Sequence, residues 1–344
     1  MFEISPQNAT RYLQERNLIP RDAHPIIEPL GWGISNTVLK VRLPNDCFVI
    51  KQPLARLRVQ DDWFFDRNRV RIERDCMLLV SDLLPRDSVP AVRFSDDVNY
   101  IFGMSCVPDG AILWKEALLD GQTEREVARR AGALLAEWHN QTAGHPQARM
   151  RFADPFNFIQ GRIDPYHLTA ARVHPDLAPL IEAEVERMLG TRLTLVHGDY
   201  SPKNIFVFPD HILTLDFEVA HYGDPAFDSA FCLNHLLLKA INFRQRAAAY
   251  LNCARAFWHT YFERLSPAMN PEIEAATIRE LGCLLLARID GKSKIEYITD
   301  ESTRNRVREL ARTILISRET SLEAVFNQIG QAITAPGEND GRPN

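Results

Sequence analysis

Leu193-Thr194-Leu195-Val196-His197-Gly198-Asp199-Tyr200-Ser201-Pro202-Lys203-Asn204 runs on through Asp216-Phe217-Glu218, and the rest of the chain can be read outward from this stretch. Three short apolar runs, residues 193–196, 205–208 and 212–215, have the length and composition of strands separated by tight turns. Polar residues stand at their ends. Asp199 offers a carboxylate, Asn204 an amide five residues later, and Asp216 a second carboxylate beyond a hairpin. Metal-assisted phosphoryl transfer uses such a set. One carboxylate accepts or orients the attacking hydroxyl, while an amide and another carboxylate hold the ion that bridges the phosphate oxygens. A polar hairpin with capping Asp and Asn would explain any one of these residues, but not the ordered set.

Upstream, Ser5-Pro6 reads as an N-cap followed by proline at the first helical position, which predicts a helix to about Asn17. Residues 26–52 change character. Ile26-Ile27, Val38-Leu39-Lys40-Val41 and Phe48-Val49-Ile50 are β-type runs, punctuated by Gly31, Gly33 and Pro44-Asn45-Asp46, as in an antiparallel sheet. A charged helical stretch over 66–80 and two strands over 89–94 and 100–105, turned at Asp96-Asp97, follow. Val107-Pro108-Asp109-Gly110 is a connector.

Beyond it Thr123-Glu124-Arg125-Glu126 reads as a capping box, with Val127, Ala131, Leu134, Leu135 and Trp138 at helical spacing. A helix is expected over 177–188, and helices dominate 226–329. The fold class is therefore α+β. An N-terminal lobe over 1–106, a larger and mainly helical lobe over 107–333, and a disordered polar tail over 334–344 are expected.

The first lobe has the parts of a nucleotide site. Gly31 and Gly33 would let backbone amides approach phosphates, and Ser35 and Asn36 add side-chain donors. Lys51 ends the apolar strand Phe48-Val49-Ile50 and is placed to meet phosphate oxygens. Glu73, on the next helix, is the carboxylate expected to fix it. Met104-Ser105-Cys106-Val107 stands where a hinge would read the base, through backbone groups of Ser105 and Val107.

His197-Gly198-Asp199-x-x-x-x-Asn204 with Asp216-x-Glu218 resembles the motif of the aminoglycoside phosphotransferase and choline kinase superfamily, as does Ala220-His221-Tyr222-Gly223-Asp224-Pro225-Ala226-Phe227-Asp228. The resemblance covers residues 25–300 and is carried mainly by these motifs. The first lobe is also similar to the 5-methylthioribose kinases, through Gly31-x-Gly33-x-Ser35-Asn36, Lys51-Gln52-Pro53-Leu54, Arg58-Val59 and Trp63 before Arg71 and Glu73. Asn204, and the absence of a Phe-Ala-Phe-Tyr run after Glu218, depart from that pattern, so the substrate does not carry over.

The resemblance implies a bilobal, protein-kinase-like fold, ATP or GTP as donor, Mg²⁺ as cofactor and a small sugar-like or amino-alcohol hydroxyl as acceptor. It makes Asp199 the base, Asn204 and Asp216 the Mg²⁺ ligands, and Glu218 a further holder of the metal or its water. It gives His197 an orienting role. Asp224 and Asp228 read better as structural residues, a turn cap and a partner of the catalytic loop.

A protein kinase would need Gly where Glu218 stands and a long docking segment before Gly223-Asp224-Pro225. A Walker site at Asp290-Gly291-Lys292-Ser293 fails because its first glycine would fall at Leu286. A nucleotide-binding regulatory module without turnover stays open as the alternative.

The formal net charge of −5 gives no support to a nucleic-acid partner. Runs such as Cys283-Leu284-Leu285-Leu286-Ala287 are far too short for a membrane span, and no leader opens the chain, so a cytoplasmic location is expected. The six cysteines are scattered without Cys-x-x-Cys and read as buried free thiols. Residues 230–330 hold no dense acidic cluster of the kind that several ammonium groups would need. Gly291 reads as a helix stop, with Arg288 and Asp290 before it as candidate acceptor contacts.

Overall fold

The computed structural model describes residues 2–31, 35–57, 64–269, 271–317 and 319–334. Five strands, β1 (Ile26–Pro29), β2 (Asn36–Leu43), β3 (Asp46–Pro53), β4 (Val92–Asp96) and β5 (Ile101–Ser105), form an antiparallel sheet in the order β1-β2-β3-β5-β4. Side chains alternate across it with the strand period of two. Phe48 and Ile50 join Leu39, Val41 and Ile101 on one face, under Ile4, Ala9, Tyr12 and Leu13 of the N-terminal segment. Val49, Phe102 and Met104 face the other way and pack with Val70, Met77 and Val80 of the helix Arg69–Ser81. Lys51 shares the face of Val49, and this register aims it at that helix. Fully burying one such aliphatic side chain contributes roughly 1.5–3 kcal/mol, so both layers are worth covering.

The rest is helical around a second core, with long helices Arg125–Thr142, Ala226–Asn242, Ala247–Arg264, Ile273–Asp290 and Glu301–Ile316. Residues 226–241 are buried on every side, as in a helix through the middle of a core. Two small sheets sit beside it. β6 (Ile112–Leu113) pairs with β8 (Ile205–Val207) and β8 with β9 (Ile212–Thr214), while β7 (Thr194–Val196) pairs with β10 (His221–Gly223). No helix among the described residues is long and apolar enough to cross a membrane.

Three expectations change, and one element was not expected at all. The first helix spans Ala9–Glu15 rather than starting at Pro6, and Ala9 N–H already reaches Ser5 O at 2.9 Å. The Thr123 capping box does not form. The helix starts at Arg125 after an extended Glu124, so Thr123 lies outside it. Cys47 and Cys106 are not free thiols but a disulfide, because the register Phe48↔Ser105 brings their Cα atoms to 5.7 Å. Cys76, Cys232, Cys253 and Cys283 are free and buried. Finally, residues Ile159–Leu168 wind as a π-helix, a form often found beside functional sites, and nothing in their sequence announces it. The expected tail lies almost wholly outside the described residues.

Candidate active site

The loop after β7 is held from behind. Gly198 has φ of 75°, and a Cβ there would lie 2.8 Å from Val219 Cγ2 and 2.9 Å from its carbonyl oxygen, so only glycine fits. Asp228, fully buried, accepts the backbone N–H groups of His197 at 2.7 Å and Gly198 at 2.8 Å, and lies 3.2 Å from His139 Nε2. Burial would raise the Asp228 carboxyl, but the His139 bond and the His197 neighbourhood hold it below the usual range. A depressed carboxylate stabilises the fold above its unfolded pKa of roughly 3.9, and that stabilisation is lost as the pH falls through the folded value. Asp228→Ala would leave two buried amides without an acceptor, so urea unfolding at neutral pH is expected to show a loss of about 2–4 kcal/mol. A change near zero would show that the loop holds itself.

His197 is buried between Trp138, Phe217 and Tyr200, and burial lowers its pKa. Its Nδ1 accepts the Asp199 N–H at 3.2 Å, which is the geometry of an orienting side chain. Asp199 is 2% exposed. Its Oδ2 takes Asn204 Nδ2 at 2.9 Å and Lys203 Nζ at 2.8 Å. Its Oδ1 lies 3.0 Å from Arg162 but receives no well-aligned hydrogen bond, so it is the oxygen left for a hydroxyl donor. Both side-chain hydrogen bonds of Asn204 leave from Nδ2, to Asp199 Oδ2 and Asp199 O, and its Oδ1 is the atom available to a cation.

Lys51 Nζ bridges the lobes. It donates to Glu73 at 2.8 Å and to Asp216 at 2.7 Å. Burial alone would lower its pKa, but Asp216, Glu73 and Glu218 outweigh burial and hold the ammonium above its usual range. Asp216, whose φ is 71°, is opposed by burial yet held below the usual range by Lys51, Lys203 and Arg162. Glu73 goes the other way. Burial, against the pull of Lys51 and with the charges of Asp216 and Glu218, pushes it up to about 7. Oxygen atoms of Glu73, Asp216 and Glu218 lie within 4.8 Å of one another. Carboxylate oxygens gathered in this way are the donors a hard divalent cation takes, and Asn204 Oδ1 is a further candidate oxygen. These residues therefore fit Mg²⁺.

Glu218 is also tied to the first lobe. It accepts Asn36 Nδ2 at 3.0 Å and Arg69 Nε at 3.1 Å. Asn36 Nδ2 reaches Ser35 Oγ at 2.8 Å as well. Arg69, fully buried, further donates to the carbonyls of Phe65, Asp66, Ser35 and Leu54, stapling both ends of the β2–β3 hairpin to Glu218. Gly31 is exposed, and a Cβ on it would meet nothing within 4 Å; Gly33, Arg58, Val59 and Trp63 lie outside the described residues.

Other candidates fall differently. Ser105 uses its N–H on Ala91 O at 2.9 Å and its hydroxyl oxygen to accept Ala91 N–H at 3.0 Å, so its backbone N–H is committed within the sheet. Val107 packs on the Leu113, Phe206 and Leu213 cluster. Asp290 is turned out of the site. Arg308 takes both its oxygens at 2.8 Å and His174 takes one at 2.8 Å. Positions 288 and 290 stand roughly 200° apart around a helix of 3.6 residues per turn, so they cannot share a face. Arg288 does face inward, to Tyr166 Oη at 3.3 Å and Ser293 Oγ at 2.8 Å. Gly291 stops the helix without a left-handed turn; a Cβ there would lie 2.4 Å from Ala287 O and 2.9 Å from Pro165 O.

Sequence reading missed Arg162, Lys203 and Arg69. Lys203 stands in the motif itself, four residues after Asp199. Arg162 comes from the π-helix and binds Gly198 O at 2.8 Å, with no local signal.

The chain is similar to known proteins in sequence and in fold. The chain is 27% identical over 242 residues to methylthioribose kinase 2 of Oryza sativa subsp. japonica, a match spanning 62% of this chain and only 56% of the rice protein. It is 22% identical over 362 residues to methylthioribose kinase of Bacillus cereus (strain 03BB102), covering 90% and 91% of the two chains. Among solved structures, a choline/ethanolamine kinase family protein from Mesorhizobium loti superposes with a TM-score of 0.53 at 15% identity over 95% of this chain and 98% of that one. The GDP and kanamycin complex of APH(2")-IIia gives 0.52 at 15% identity over 89% and 98%. At such identities the structures speak for the fold, a first-lobe antiparallel sheet with a larger helical part. The profile of the phosphotransferase enzyme family matches residues 26–268, more than half of the sequence, and the chain belongs to that family.

Proposed function

We propose that this protein is a small-molecule kinase, moving the γ-phosphoryl group of ATP or GTP to a hydroxyl of a small sugar-like or amino-alcohol acceptor. The observation that carries the reading is that Lys51 and Asp216, 165 residues apart, meet at 2.7 Å, while Leu215, the residue before Asp216, donates its N–H to Asn204 O at 2.9 Å and Asn204 bonds Asp199. Lys51, fixed by Glu73, would bind the nucleotide phosphates; Ser35 and Asn36 close the hairpin over them. Asn204 and Asp216, with Glu218, would hold Mg²⁺, which supplies charge neutralisation at the phosphate oxygens.

Asp199 Oδ1 would receive the acceptor's proton as the acceptor oxygen bonds to the γ-phosphorus and the bond to the β-phosphate oxygen breaks, releasing the nucleoside diphosphate. Arg162 and Lys203 keep that carboxylate ionised and in place. Nucleoside triphosphates are cytosolic metabolites, which supports a cytosolic site of action; the Cys47–Cys106 bridge is of a kind uncommon there.

The test is a phosphate-transfer screen with both nucleotides over sugars, amino alcohols, hydroxy acids and antibiotics. Acceptor-dependent turnover is expected, with Lys51→Met raising the nucleotide KM or lowering kcat at least tenfold. Tight nucleotide binding with no turnover on any acceptor would instead establish a regulatory module.

A further inference from the structure

Behind Asp199 and Arg162 the helical lobe carries basic side chains, His235, Lys239 and Arg288, that the transfer chemistry does not use. Arg162, in contact with Asp199, stacks against Phe231 and Tyr166, with its Cζ 5.5 and 5.7 Å from the ring centroids. On the buried helix Ala226–Asn242, Phe231 is followed at intervals of four by His235 and Lys239, a spacing that sets the three along one face. The His235 ring is 5.3 Å from Phe231, and the Lys239 ammonium is 5.2 Å from the Tyr297 ring. Arg288 closes the group from the facing helix, bonded to Tyr166 Oη. The cluster therefore runs without a break from the catalytic carboxylate to Tyr297.

These groups are buried and poorly satisfied. His235 is 6% exposed, Lys239 0% and Arg288 9%. His235 Nε2, Arg288 Nε and Tyr297 Oη have no hydrogen-bond partner. Lys239 Nζ has one, the carbonyl of His235 in its own helix at 3.3 Å. Among the described residues no carboxylate pairs with Lys239 or Arg288. The nearby acids are committed elsewhere, Asp199 to Arg162 and Lys203, and the exposed Glu296 to Lys115 at 3.6 Å. The charges act on one another. Burial, then Lys115 and Arg288, push Lys239 down to about 7, and burial followed by Arg288, Lys239, Lys203 and Lys115 pushes His235 well below its usual range.

A buried cation without a counter-charge is costly, by several kcal/mol per ion, and is kept where a ligand supplies the missing charge. An ammonium-bearing acceptor would add to the repulsion, and a neutral one would leave it unrelieved.

We propose that the acceptor is a small hydroxylated anion, whose carboxylate or phosphate sits between Lys239 and Arg288, beside His235, while its hydroxyl reaches Asp199. The assignment rests on the kinase reading above, keeps its hydroxyl acceptor and replaces the amino-alcohol class with an anionic one. It also separates this site from one built for polycationic antibiotics.

The test is calorimetric titration of the full chain, saturated with Mg²⁺ and a non-hydrolysable ATP analogue so that the γ-phosphate position is filled. The probes are inorganic phosphate, acetate and tetramethylammonium. At least one of the two anions is expected to bind, and which one distinguishes a phosphate-bearing from a carboxylate-bearing acceptor. Lys239→Met and Arg288→Gln should each weaken that binding at least tenfold while the nucleotide affinity stays within twofold. Lys239→Met should also raise Tm, because it removes an unpaired buried charge and keeps the packing.

Anion affinity unchanged in both variants, no anion binding at millimolar concentrations, or tetramethylammonium bound in preference would overturn the proposal. Failure of the kinase reading itself would show elsewhere, as loss of analogue binding or as an Asp199 variant with full turnover.

Discussion

Asp199→Asn is expected to lower kcat by about 10²–10⁴, the range for loss of a general base, while the nucleotide affinity stays near that of the parent protein. The reason is local. Asp199 Oδ1 is the oxygen without a well-aligned donor, whereas Oδ2 is already used by Asn204 and Lys203. An amide keeps the shape and can still accept at one oxygen, but it cannot take a proton from an alcohol. It also removes the negative charge that balances Arg162 at 3.0 Å and Lys203 at 2.8 Å, so a modest fall in Tm should accompany the kinetic loss. Steady-state kinetics on a known acceptor, with calorimetry for the nucleotide, separates the two effects. Near-parental turnover in the purified variant would remove Asp199 from the mechanism.

Asp216→Ala is expected to weaken Mg²⁺-nucleotide binding and to reduce kcat/KM by about 10²-fold or more, since a metal contributes several kcal/mol of charge stabilisation in such transfers. Two other things change with it. Lys51 loses one of its two carboxylates and keeps Glu73. Alanine must also adopt the φ of 71° found here, a strain of roughly 1–2 kcal/mol that asparagine escapes. Asp216→Asn therefore serves as the companion. It relieves the backbone strain and still lacks the charge, so a metal-binding role predicts that both variants lose affinity in a Mg²⁺ titration. Recovery of metal affinity in the asparagine variant would assign Asp216 to the backbone turn instead.

Both residues could be named from the sequence because their spacing is local. Asp199 and Asn204 belong to one turn, and Asp216 follows a hairpin whose strands announce themselves as apolar runs. The first-lobe sheet was legible for the same reason, since strand period and turn residues act over a few positions. The pairing of Lys51 with Glu73 could be anticipated too. A lysine on the inward face of a strand needs an acid on the helix that covers that face, and few acids are available there.

What the chain order does not encode is which side of a buried helix meets which neighbour. Asp290 and Arg288 looked equivalent in sequence, yet helical rotation sends the first to Arg308 and His174 and the second to Tyr166. Ser105 stood where a hinge would read the base through backbone groups, and strand pairing spends its N–H on Ala91. Cys47 and Cys106, 59 residues apart, read as unrelated thiols until the β3–β5 register set them side by side. Arg69, Arg162, His235 and Lys239 carry no motif, because each acts only through partners far away in the chain. By itself the sequence determined the local chemistry: the loop with its two aspartates and its asparagine, the lysine-bearing strand and the α+β pattern. Tertiary structure alone decided which charges are neutralised and which are left waiting, because that depends on distances between segments whose separation along the chain says nothing of their separation in space.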